Sequence, residues 1–169
     1  MRNTNLEIMS WGGHSYSIGR IYNPNYYKFE VGKYTSIAVG LQLFTTIHPK
    51  DMISNYPFRE LKKWDYPLCE RKEPIIIGND VWIGANVGIV NKVTVGDGAI
   101  VGAYTVISKD IPPYAVVVGN PPRIIRYRFN KDQIKKLLKI KWWDWTDEKM
   151  EERKDDFKLK IDDFIKKYD

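Results

Sequence analysis

Two histidines, His14 and His48, make up the whole imidazole complement of this 169-residue chain. An imidazole has an unperturbed pKa near neutrality, which suits it to taking a proton from a hydroxyl or amine as that group attacks. His48 is the candidate general base, because it opens a long stretch, residues 45–74, that departs from the pattern around it. A histidine in an arbitrary context more often has a structural role, and that is the reading of His14, within Gly12-Gly13-His14-Ser15-Tyr16. Asp51, three residues after His48, could orient it, contact a polar acceptor or stabilise a turn. Cys69 is the only cysteine and has no nucleophile motif beside it, so it reads as a bystander. A cysteine-rich metal site is thereby excluded, and no metal is expected. No serine or cysteine has a recognisable activating base in its sequence context, so a covalent intermediate is not implied.

The elements that must position these residues follow from a repeat. From Ile77 the chain reads in sixes: Ile77-Gly78-Asn79-Asp80-Val81-Trp82, Ile83-Gly84-Ala85-Asn86-Val87-Gly88, and so on to Ile107-Ser108-Lys109-Asp110-Ile111-Pro112. The first position is Ile or Val in all six hexads, and the fifth is Val, Ala, Thr or Ile. Such spacing turns both aliphatic positions inward on a short strand and its corner, and Gly at the second position permits a tight turn. Three hexads make one triangular coil, and stacked coils share an axial apolar core, which is a parallel β-helix. The same rhythm runs from Val31 to Leu43. Between them lies the excursion, residues 45–74, with His48-Pro49-Lys50-Asp51 and Tyr56-Pro57-Phe58. An irregular insertion of this length on a rigid scaffold is usually functional.

After Pro113 the coil closes through Val116 to Pro122. Asn130-Lys131-Asp132-Gln133 has the pattern of a capping box opening a helix with Ile134, Leu137 and Leu138 at helical spacing. Thr146, followed by Asp147 and Glu148, opens a second helix, whose apolar stripe is Phe157, Ile161, Phe164, Ile165 and Tyr168. Trp142, Trp143 and Trp145 read as the cap of a core or an oligomer contact. The division expected is a β-helix over residues 1–122 and a helical tail over 123–169.

The net charge of +6, with a basic stretch over residues 123–141, suggests an anionic partner. No nucleic-acid-binding signature accompanies it, so no nucleic acid is expected. No apolar run approaches a membrane span or a signal peptide, and a cytoplasmic protein without membrane insertion is the expectation.

The chain resembles the hexapeptide-repeat acyltransferases. Within them it is similar to the branch of chloramphenicol and streptogramin (xenobiotic) acetyltransferases and perosamine-type nucleotide-sugar N-acetyltransferases. The resemblance is carried by Ile47-His48-Pro49-Lys50-Asp51 with Ser54-Asn55-Tyr56-Pro57-Phe58, by Gly78-Asn79-Asp80-Val81-Trp82-Ile83-Gly84, by Lys109-Asp110-Ile111-Pro112-Pro113-Tyr114 with Gly119-Asn120-Pro121-Pro122, and by Trp142-Trp143-Asp144-Trp145. It implies a left-handed coil and a homotrimer with active sites between subunits. Acetyl-CoA would be the cosubstrate and a small molecule the acceptor, with His48 at the family's catalytic position. Ala85 and Ala103 would approach the pantetheine arm, and Ser108 and Lys109 would lie farther along the same face. Arg123 and Arg126 would stand near the nucleotide phosphates, or be solvated charges. Trp82 would border the cleft or pack at the trimer interface; Tyr56 would shape the acceptor pocket or plug against a neighbour. Ala85 departs from relatives with serine there, which leaves only a backbone N–H for oxyanion stabilisation.

The expected acceptor is a sugar, either a nucleotide-linked amino sugar or a surface polysaccharide unit. The alternative is a chloramphenicol or streptogramin hydroxyl. A non-catalytic β-helix scaffold is the third reading. The γ-class carbonic anhydrases share the β-helix, but their zinc needs three histidines where this chain has two.

Overall fold

The computed structural model describes residues 9–19, 21–22, 28–44, 48–67, 74–90 and 92–169. Cys69, read above as a bystander, lies outside the described residues.

Three sheets are built in rotation. The first holds β1 (Met9–Trp11), β3 (Phe29–Val31), β6 (Ile75–Ile77) and β9 (Val93–Val95), all parallel. The second holds β2 (Tyr16–Ser17), β4 (Ser36–Ile37), β7 (Trp82–Ile83), β10 (Ile100–Val101) and β12 (Ala115–Val118), also parallel. The third holds β5 (Gln42–Phe44), β8 (Gly88–Val90) and β11 (Val106–Ile107). The chain visits the sheets in turn, so a full coil such as β6, β7 and β8 lays one strand on each face and pairs with the coils on either side of it.

The hexad explains why. Ile77, Ile83, Ile89, Val95, Val101 and Ile107, at the first position, are all buried, as are Val81, Val87, Val93, Ala99, Thr105 and Ile111 at the fifth. The buried threonine hydroxyls at the corners find partners. Thr35 donates to the Gly78 carbonyl at 2.8 Å and accepts from the Val81 N–H at 3.2 Å. The third position stacks as well: the Asp97 carboxylate accepts from the Asn79 backbone N–H at 2.7 Å, and the Asn79 amide oxygen accepts from the Lys33 N–H at 2.8 Å. At the second position the coils nearly touch: a Cβ on Gly84 would stand 2.6 Å from the Ala103 backbone nitrogen.

Past β12 the chain reverses into β13 (Arg123–Tyr127), which pairs antiparallel with β12. Helix α2 (Lys131–Ile140) follows, opened by the expected capping box of Asn130 and Gln133. The sequence suggested one further helix, but the structure divides that segment. Helix α3 (Asp147–Glu152), capped by Thr146, gives way to a 3-10 turn (Lys154–Lys158), and α4 (Ile161–Tyr168) begins after extended Leu159 and Lys160. The reason is packing: α3 buries none of its residues, and a helix that short is held only by what it packs against. The break lets Asp156 accept from Lys167 and from the Tyr168 hydroxyl. Leu137, Phe164 and Ile165 pack with Tyr114 of the coil into a second core flanked by Trp142 and Trp145. Trp142 and Trp145 therefore cap a core.

The tail is tied to the coil by Arg128, which donates to Asp80 and to the Gly98 carbonyl, each at 2.8 Å. Burial raises the Asp80 pKa, against the opposing pull of Arg128. Burial also pushes the Tyr114 phenol above the usual tyrosine range, and its hydroxyl is buried without a hydrogen-bond partner.

Both the crowded corner and the orphaned hydroxyl can be tested by stability. Gly84→Ala should cost ~1–3 kcal/mol in urea denaturation, because backbone cannot yield to the new Cβ, whereas Gly13→Ala, whose Cβ meets nothing within 4 Å, should be close to neutral. Tyr114→Phe should stabilise by about 1 kcal/mol at pH 7, since it removes an unsatisfied buried hydroxyl. A phenol whose folded pKa is raised contributes stability that is present below the unfolded pKa of about 10 and lost above it. The same variant should therefore lose less stability than wild type between neutral and strongly alkaline pH.

Candidate active site

The excursion is a small structure of its own. Helix α1 (Phe58–Lys62) is a single turn, closed by Lys63 in the left-handed conformation with its N–H on the Phe58 carbonyl. That turn brings the aromatic residues behind it back onto Phe58. Trp64 stacks on the Phe58 ring at 4.4 Å and 3°, Tyr66 meets its edge at 5.3 Å, and Tyr56 packs at 4.9 Å. Such ring contacts each contribute about 0.5–1.5 kcal/mol beyond area burial, which suits Phe58 to be the hub of the loop.

Against this hub the chain holds His48. Its Nδ1 lies 2.6 Å from the backbone carbonyl oxygen of Asn55. A carbonyl can only accept, so Nδ1 carries the hydrogen and donates. The neutral ring then keeps its lone pair on Nε2, the state a general base needs. His48 is exposed, and its hydrogen bond to Asn55 is made by Nδ1, not by Nε2. Asp51 is exposed on the same segment, and Tyr56 is 42% exposed.

His14 has a different environment. Its Nε2 lies 2.9 Å from Asp147, its ring stacks on Tyr34 at 4.8 Å, and Tyr34 packs on Trp142 at 4.9 Å. These contacts join a coil corner to the tail.

The residues expected on the cofactor side fall in two groups on the coil. Trp82, 56% exposed, is in register with Ser36 and Ile100, and through Val116 with Arg126, so these residues form one row across the second sheet. Ala85 and Ala103 occupy the same corner of successive coils, with the Tyr104 N–H on the Ala85 carbonyl at 2.9 Å. Ser108 and Lys109 are exposed just after β11, and Arg123 is exposed on β13. The hydrogen bonds and ring contacts described for His48, Tyr56 and Trp64 are made within the excursion. Asn55 and Tyr66 have no role that the sequence marks. A backbone carbonyl carries no residue signature, so no motif could have pointed to Asn55.

A cavity of about 300 Å³ lies elsewhere, between coil and tail, lined by Asp80, Tyr114, Arg128, Phe129, Trp142 and Phe164 among others. Neither histidine lines it. Among the described residues no group of three or more His, Cys, Asp or Glu side chains could hold a metal ion, and no helix is long and apolar enough to cross a membrane.

Residues 74–109 match the family model described as bacterial transferase hexapeptide (six repeats). A protein of Lysinibacillus sphaericus named "Probable macrolide acetyltransferase" is 39% identical over 131 residues, which cover 73% of each chain. The chain belongs to the hexapeptide-repeat acetyltransferases. A chloramphenicol acetyltransferase of Agrobacterium fabrum is 38% identical across 71% of this chain and 61% of its own. A solved hexapeptide-repeat acetyltransferase of Vibrio cholerae matches with a TM-score of 0.60 and 29% identity, covering 73% of this chain and 65% of that one, and it has also been solved with acetyl coenzyme A. A maltose O-acetyltransferase of Clostridium difficile matches with a TM-score of 0.59 and 30% identity, covering 72% of this chain and 60% of that one. The chain thus spans less than two thirds of the second relative and of both solved chains.

For a hexapeptide-repeat acetyltransferase, the excursion is the part the repeat does not dictate, and Phe58 holds it together. Phe58→Ala should speed trypsin cleavage at Arg59, Lys62 or Lys63 by roughly tenfold through local opening. The urea midpoint of the coil should stay unchanged, because its core is separate from this hub.

Proposed function

We propose that this chain transfers the acetyl group of acetyl-CoA to a sugar acceptor by direct attack. His48 Nε2 takes the proton from the attacking hydroxyl or amine. The observation that carries this reading is the 2.6 Å contact from Nδ1 to the Asn55 carbonyl, which leaves Nε2 as the basic nitrogen. The acceptor oxygen or nitrogen forms a bond to the thioester carbonyl carbon. The tetrahedral intermediate then collapses, breaking the carbon–sulfur bond and releasing the CoA thiolate, which takes the proton from His48. No acetyl-enzyme forms.

The rest of the reading is architectural. The coil winds left-handed, as its likeness to hexapeptide-repeat acetyltransferase structures supports. It comprises residues 1–122 with the excursion 45–74, and the tail comprises 123–169. Three copies assemble with the active sites between them, in the cytoplasm where acetyl-CoA is held. Exposed Tyr16, Val39, Phe44 and Trp82 on the outer faces of the coil support an interface. Acetyl-CoA lies along the coil against Trp82, Ala85 and Ala103, with Ser108 and Lys109 farther along. Arg123 and Arg126 meet the nucleotide phosphates, for which the guanidinium fork is suited. Asp51 and Tyr56 stand on the acceptor side.

A second reading, acetylation of an antibiotic hydroxyl, is favoured by the 39% and 38% identities to the macrolide and chloramphenicol relatives. Thiol release from acetyl-CoA, with a nucleotide-linked amino sugar, maltose, chloramphenicol and a macrolide offered separately, separates the two. Release with a sugar supports the first reading; release with an antibiotic alone replaces it with the second. His48→Ala should lower kcat by roughly 10²–10⁴-fold, as loss of a general base does, with KM for acetyl-CoA little changed. Arg123→Ala with Arg126→Ala should instead raise that KM about tenfold while sparing kcat. Acetylated protein after incubation with acetyl-CoA alone would contradict direct transfer.

A further inference from the structure

We infer that Tyr66 is a positioning residue for His48, acting through the peptide that His48 leans on. This rests on His48 serving as the base. The Asn55 carbonyl that receives Nδ1 belongs to the Asn55–Tyr56 peptide, and a peptide unit is planar, so its N–H and C=O turn together. The Tyr56 N–H of that unit is held by the Ser54 hydroxyl at 3.1 Å. The preceding unit, Ser54–Asn55, is held by its carbonyl, which accepts from the Tyr66 hydroxyl at 2.6 Å. Both peptide planes flanking Asn55 are therefore fixed. With two planes set, the direction of the Asn55 carbonyl is set, and so is the imidazole donating to it.

Tyr66 can do this because of its two ends. Its ring meets the Phe58 edge at 5.3 Å, which anchors the side chain on the aromatic hub. Its hydroxyl then reaches across twelve residues of chain to Ser54. A phenylalanine would keep the first contact and lose the second. The loss would leave the hub standing and release one peptide plane. The Nδ1–H tautomer enforced by Asn55 would then compete with the Nε2–H tautomer, in which the reactive nitrogen carries a proton and cannot accept another. Small displacements of a reacting group can cost large rate factors.

The test is ¹⁵N NMR of the imidazole nitrogens on the full-length protein at a pH where His48 is neutral, together with steady-state kinetics. Wild type should show His48 as the Nδ1–H tautomer. Tyr66→Phe should show a mixture of tautomers, a kcat lowered about tenfold and a KM for acetyl-CoA within twofold of wild type. Ser54→Ala, which removes the other pin without touching the hub, should shift the tautomer in the same direction. A wild-type tautomer in both variants would overturn the inference, and so would a fall in kcat without a tautomer change. The readout is independent of the base assignment: if the tautomer shifts in Tyr66→Phe but His48→Ala keeps full activity, positioning stands and the general-base reading falls.

Discussion

The stacking of one coil on the next, at strand spacing and with aliphatic side chains in vertical rows, is the constraint from which the rest follows. Each inward residue of one coil sits against its counterpart on the next, as in the row Ile37, Ile83, Val101 and Val117, and all of these are buried. The backbone ladder between coils and this apolar axis cannot be separated energetically, because a coil that slipped by one residue would turn its core outward. The corners are then fixed as well, which is why Gly84 has no room for a Cβ and why Asn79 and Asp97 fall into one hydrogen-bonded file. A scaffold built this way has little freedom at its faces. Residues such as Trp82, Ala85 and Ala103 are held where the register puts them, as the proposed binding wall would require.

The proposed chemistry needs the opposite kind of element, and the excursion is of that kind. It interrupts the coil between β5 and β6 and makes its own contacts around Phe58. In place of a coil ladder, its order comes from stacked rings and a few hydrogen bonds, of which those to Ser54 and Asn55 are spent on aiming one imidazole. The rigid coil thus carries the wall proposed for the cofactor, and the small aromatic loop carries the imidazole proposed as the base. The tail plays a third part. Through Arg128, and through Asp144 and Asp147 paired with Lys33 and His14, it holds the end and one edge of the coil.

Most of this architecture is written in the residue order. The six-residue period located every inward position from Ile77 to Ile111, because a single packing rule repeats at each coil. The capping box at Asn130 was equally legible, since it depends on two side chains three residues apart. Legibility fails where the determinant is not local. The division of the last segment into α3, a 3-10 turn and α4 turns on what Phe157 and Phe164 meet around Trp145, and helical spacing alone does not encode that. At the site, His48 stood out by its residue type and place. Its partner did not, because a backbone carbonyl looks the same at every position. Tyr66 is recognisable only once the turn at Lys63 has folded it back onto Phe58.

Everything proposed for the reaction turns on acetyl-CoA lying along the coil with its reactive end facing the free nitrogen of His48. A crystal structure of the full-length protein with coenzyme A bound tests this most directly. The predicted result is CoA in a cleft between two copies, with its sulfur about 5–6 Å from His48 Nε2, leaving room for one acceptor atom between them. Nδ1 should remain on the Asn55 carbonyl. A thiol end placed away from His48, or a ring turned so that Nε2 faces Asn55, would contradict the account.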